Sequence, residues 1–63
     1  MEVVLTDIYD KDGNLLKIDV HDLQGQFVIQ IMWDENDEQT SENRKEFRKW
    51  AIRQLKQRNY EPK

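Results

Sequence analysis

The stretch Leu15-Leu16-Lys17-Ile18-Asp19-Val20-His21-Asp22 decides the fold. From Leu16 onward it alternates apolar and polar residues, the period of a strand with one face buried. Turn signals stand on both sides, Asp10-Lys11-Asp12-Gly13-Asn14 before it and Gln24-Gly25 after it. Beyond those turns, residues 3–9 and 27–33 are rich in β-branched and aromatic residues, which also favour strands. Gly13 can adopt the left-handed conformation that closes a three-residue hairpin loop. Pairing Asp10 with Asn14 then sets Val4 opposite Val20, Thr6 opposite Ile18 and Ile8 opposite Leu16, all on one face. On the other face Asp7 would meet Lys17. A two-residue loop at Gln24-Gly25 pairs Leu23 with Gln26. It sets Val20 opposite Ile29, Ile18 opposite Ile31 and Leu16 opposite Trp33. Both hairpins assign the same face of the middle strand to the core, and a one-residue slip would turn that set outward.

The last third of the chain reads as a helix over residues 41–58. Thr40 or Ser41 can cap its start, and Asn43 with Glu46 forms a candidate capping box one turn later. Trp50, Phe47, Ala51, Leu55 and Ile52 fall on one broad apolar arc, with small Ala51 near its middle. Lys45, Lys49, Arg53 and Lys56 fall on the opposite ridge. Asn59 and Pro62 mark the end. The expected architecture is α+β, a single domain of 63 residues. It has a three-stranded antiparallel meander (near 3–9, 15–22 and 27–33) with one C-terminal helix on one face, βββα. Strands 1 and 3 would be edges. The face away from the helix would then carry Val3, Leu5, Tyr9, Leu15, Val28 and Met32, a candidate surface for a protein partner.

Composition narrows the function classes. Charged residues make up 37% of the chain, against roughly 25% in an average globular protein. Leu, Ile, Val and Phe still supply 16 of 63 residues, enough for a small core. No apolar run exceeds three residues, so no membrane span is expected. The Met1-Glu2 start has neither the basic nor the apolar region of a secretory signal. No cysteine is present, which suits a reducing, cytoplasmic setting and excludes thiolate metal sites. There is no internal repeat, linker or low-complexity tract. Charge is segregated: residues 1–40 carry ten acids and two bases, whereas residues 41–63 carry eight bases and three acids.

Catalytic constellations are weak. His21 is the one histidine and Ser41 the one serine, and Ser41 belongs to the helix start. The Asp10–Asn14 segment opens like a calcium loop, but Gly13 stands at its fourth position and His21 at its twelfth, where glycine at six and glutamate at twelve are required. The acidic run Asp34, Glu35, Asp37 and Glu38 also fails that spacing. It is a candidate contact loop that could imitate the phosphates of nucleic acid. No metal, cofactor or enzyme activity is expected.

A three-stranded sheet with a C-terminal helix resembles the arrangement of some sheet-type DNA readers. Those readers need bases on the open sheet, and here the expected face has only Lys17. The reading is therefore a non-catalytic protein-binding module, a small intracellular regulator or inhibitor of bacterial or phage type. Its expected partner is a protein, a second copy included. The alternative is a nucleic-acid-binding accessory protein that uses the basic ridge Lys45, Lys49, Arg53 and Lys56.

Overall fold

The computed structural model describes residues 1–63. Four strands and one helix follow in the order β1 (Glu2–Tyr9), β2 (Leu15–Asp22), β3 (Phe27–Met32), α1 (Ser41–Gln57) and β4 (Glu61–Pro62). The sheet order is β3-β2-β1-β4. The first three strands form the expected antiparallel meander, and β4 adds to β1 in parallel. The class is α+β with a mixed four-stranded sheet, so the simple βββα order is corrected by one short strand.

Both hairpin loops are the same device. Asp10 N–H donates to Asn14 O and Gly13 N–H to Asp10 O. In the second loop Asp22 N–H donates to Gln26 O and Gly25 N–H to Asp22 O. Each aspartate folds back on its own turn. Asp10 Oδ1 accepts from the N–H groups of Asp12 and Asn14, and Asp22 Oδ1 from those of Gln24 and Gln26. Gly13 and Gly25 supply the left-handed residue at φ 83° and 86°. The pattern Asp-x-x-Gly-Asn/Gln thus occurs twice, a short repeat that the sequence reading passed over. In the first loop the Asn14 N–H, with the Asp12 N–H helping, holds the Asp10 carboxyl below its ordinary value of 3.8 against opposing desolvation. A lowered folded-state pKa stabilises the turn above the unfolded value and is lost as pH falls through the folded one. A carbon-13 NMR titration of the Asp10 carboxyl should show a midpoint below that of an unstructured aspartate. A midpoint at or above it would contradict this geometry.

Each hairpin then carries a bulge, and the bulges set the faces. Tyr9 lies opposite Leu15, but Ile8 lies opposite Lys17, so Leu16 is an extra residue in β2. The shift passes along the whole of β1. Leu5 lies opposite Val20, Asp7 opposite Ile18 and Val4 opposite His21. The expected pairs Val4–Val20, Thr6–Ile18 and Ile8–Leu16 are therefore corrected, and β1 turns its other face to the core. In the second hairpin the loop has three residues, not two, and a bulge at Val28 restores the register. The two departures cancel, so Val20–Ile29 and Ile18–Ile31 stand as expected.

The core is small. Val3, Ile18, Val20, Ala51 and Leu55 form its buried cluster, with Leu5, Val28, Ile29, Ile31, Phe47 and Tyr60 packed around it. Ala51 and Leu55 are the buried residues of α1. At the far end of the sheet Leu15 and Trp33 are buried as well, while Leu16 is 44% exposed. The expected Asp7–Lys17 pair does not form, because the two residues lie on opposite faces. Asp7 instead accepts from Arg48 of α1 at 2.6 Å, and Lys17 lies 3.4 Å from Asp19 and donates to Gln30. Partly exposed pairs of this kind contribute about 0–1 kcal/mol. The Asp7–Arg48 pair links the helix to β1.

Caps and loops complete the frame. Thr40 Oγ1 accepts from Asn43 N–H, and Asn43 donates its side chain to Glu38 O, so Thr40 is the cap and Ser41 the first helical residue. The end is a Schellman turn. Tyr60 N–H donates to Leu55 O and Asn59 N–H to Lys56 O, with Asn59 at φ 64°. Tyr60 then packs on the core, and the chain pairs with β1 through Glu61 N–H to Met1 O and Lys63 N–H to Val3 O. Pro62 falls between these donors, where its missing N–H would have faced outward. The expected edge at β1 is thus covered at its start by a strand whose own outer side offers no donor at Pro62.

Gln39 clamps the other end of the sheet. Its Oε1 accepts from Leu15 N–H at 3.0 Å and its Nε2 donates to Leu15 O at 2.9 Å, as a neighbouring strand would. Gln39→Ala leaves both partly buried groups unpaired and should destabilise the domain by about 1–3 kcal/mol. Gln39→Glu keeps the acceptor but sets a carboxylate against a carbonyl, so thermal melting should show little recovery. Full recovery with Glu would contradict the two-bond clamp.

Candidate peptide-binding edge and groove

The exposed surface differs from the expected one. Val3 and Leu15 are core residues, and Leu5 and Val28 pack against the core cluster. Tyr9 is exposed but lies on the helix side, opposite buried Leu15. Of the six residues assigned to the outer face, Met32 alone stands there. The physical reason is the Leu16 bulge, which exchanges the faces of β1, together with the Val28 bulge, which turns Val28 inward. The outer face carries Val4, Ile8, Leu16, Phe27 and Met32 around a polar centre of Lys17, Asp19 and Gln30. Asp19 Oδ1 has no hydrogen-bond donor there, and the Lys17 ammonium at 3.4 Å is its compensation. His21 keeps its expected outward place and meets Phe27 edge to face at 5.9 Å.

A second apolar feature lies on the helix side, and the sequence reading missed it. β3 is the sheet edge with no neighbour along its length. Trp33 N–H donates to Leu16 O, and Ile31 and Ile29 lie opposite Ile18 and Val20. That alternation turns the N–H and C=O groups of Gln30 and Met32 away from β2, toward open solvent. The strand Phe27–Met32 contains no charged residue and no proline, so it lacks the usual protections of an exposed edge.

Between this edge and α1 run two adjoining depressions of about 260 and 460 Å³, which meet at Met32 and Trp50. The first is lined by Ile29, Ile31, Leu55 and Arg58, and the second by Asp34, Asp37, Glu46 and Arg53 among others. Trp50 was expected on the core arc. It is 45% exposed and stacks on Phe47, which meets buried Trp33 edge to face at 5.1 Å. The aromatic trio packs at its inner end and leaves Trp50 as the groove's wall. An indole held this way offers a large rigid contact at low entropic cost.

The two charged candidates are solvent-exposed. Asp34, Glu35, Asp37 and Glu38 lie in the β3–α1 loop, and Lys45, Lys49, Arg53 and Lys56 lie on the helix ridge as expected. Asp34 folds its own loop by accepting from Asn36 N–H, and Trp33 Nε1 makes a long hydrogen bond to Asp37 O. No group of three or more His, Cys, Asp or Glu side chains is placed to hold a metal ion. No helix is long and apolar enough to cross a membrane. Compared with family models, with curated proteins and with solved structures, the chain has no significant match.

Proposed function

We propose that this is a non-catalytic protein-binding module, a small cytoplasmic regulator or inhibitor, whose working surface is the free edge of β3 with the Trp50 groove. The observation that carries this reading is the combination of an uncharged, unpaired strand edge with an exposed indole beside it. An extended peptide laid along β3 would take main-chain hydrogen bonds from Gln30 and Met32. Its alternate side chains would drop into the groove against Trp50 and Ile31. The outer face assigned from the sequence is not retained as the binding surface, since most of its residues belong to the core.

The test is capture from a host lysate with and without nuclease, using paired variants. Gln30→Pro removes an outward donor without touching the β2–β3 ladder, and Trp50→Ala empties the groove wall. Each should fold and lose a nuclease-insensitive protein partner. The double variant Lys45→Glu/Lys56→Glu should fold and keep that partner, because both side chains are solvent-exposed and neither lines the groove. Loss of partner only in the ridge variant, with nuclease-sensitive and salt-dependent retention on DNA, would support the nucleic-acid reading instead.

A further inference from the structure

We infer that a second copy of this chain occupies the β3 edge, forming a two-fold dimer in which the two sheets join through their β3 strands. The inference rests on the binding reading above and names the occupant of that surface. Three observations support it. The opposite edge is covered by β4 and Pro62 at Glu2 and Val3 of β1 and carries the charged Asp7 beyond them, whereas β3 is open and uncharged along six residues. The outward backbone groups sit at alternate positions, Gln30 and Met32. An antiparallel partner centred on Ile31 therefore pairs Gln30 with Met32 of the other copy and Met32 with its Gln30, satisfying all four residues at once.

The third observation is the groove's charge polarity. α1 runs back along β3, so Asp34, Asp37 and Glu46 lie at the Met32 end, offset in part by Arg53 and by Lys49 at 3.5 Å from Glu46, while Arg58 lies at the Ile29 end. A two-fold axis at Ile31 reverses the groove of the second copy. It brings the acidic end of each chain toward Arg58 of the other and joins the apolar middles at Ile31 and Trp50. A parallel or face-to-face arrangement gives no such complementarity.

Charge exchange tests this in the full chain by sedimentation equilibrium over micromolar to millimolar concentration. The parent should dimerise. Arg58→Glu alone and Asp37→Lys/Glu46→Lys alone should each weaken self-association by about tenfold or more, since symmetry repeats every change twice. Mixed in equal amounts, the two variants should recover association, because each then meets its opposite charge at both ends. Gln30→Pro should be monomeric with the parent's circular dichroism. A parent that is monomeric throughout the range overturns the inference, as does a mixture that associates no better than its components. The binding reading fails separately: it falls if Gln30→Pro and Trp50→Ala still capture the lysate partner, whatever the chain's own association.

Discussion

Ile18→Ala should destabilise the domain by about 2–5 kcal/mol, the range for removing the branched end of a fully buried aliphatic side chain. Ile18 has no solvent exposure and shares its cluster with Val3, Val20, Ala51 and Leu55. Only seven of the 63 residues are buried, so few neighbours are free to close the cavity. A core of this size without disulfide or metal rarely supplies more than about 3–5 kcal/mol. The variant should therefore lose most of its cooperative thermal transition, read by circular dichroism. A melting curve like the parent's would place the core elsewhere.

A larger contrast is expected between two neighbours in β1. Val3→Glu should unfold the chain, because the carboxylate would enter a cluster of aliphatic side chains with no cation to meet it. Val4→Glu should alter stability by no more than about 0.5 kcal/mol, since Val4 is 40% exposed on the outer face. An uninterrupted hairpin register predicts the reverse order. Urea unfolding of the two variants thus decides whether Leu16 is bulged. Equal midpoints, or a less stable Val4→Glu, would reject the bulge and with it the placement of every β1 side chain.

The same bulge marks how far the sequence could be read. The middle strand was legible because Ile18 and Val20 alternate with charged or polar neighbours and both flanking strands are apolar enough to cover them. The antiparallel order, the helix limits and the solvent ridge follow from equally local signals. A bulge has no such signal. Leu15 and Leu16 are the same residue type, so pattern alone cannot say which one points inward. In the fold Leu15 is the one turned inward, and Gln39 holds its backbone in place from 24 residues away. At the second hairpin a longer loop and a bulge offset one another, so the predicted pairs were right for an incomplete reason. β4 is two residues long, too short to carry a period, although Asn59 before Tyr60 is a turn signal that could have been read as a Schellman end.

The candidate site was less legible still. The acidic loop and basic ridge were found because charge is visible in composition, and both stand where expected. The groove depends on which residues of β3 face outward and on α1 running back along that strand, and both are tertiary facts. Trp50 shows why: its position on the helix belongs to the apolar arc. Yet the arc is wider than the strip of sheet it covers, so a residue at its margin is left beside the open edge.

Amide hydrogen exchange along β3 tests most directly the claim that this edge is the working surface. In the dilute chain the Gln30 and Met32 amides should exchange rapidly while those of Ile29 and Ile31, bonded to β2, stay protected. On assembly, with a second copy or with a captured partner, Gln30 and Met32 should become protected and the helix ridge should be unchanged. Gln30 and Met32 amides that exchange at the same rate before and after assembly would contradict the account.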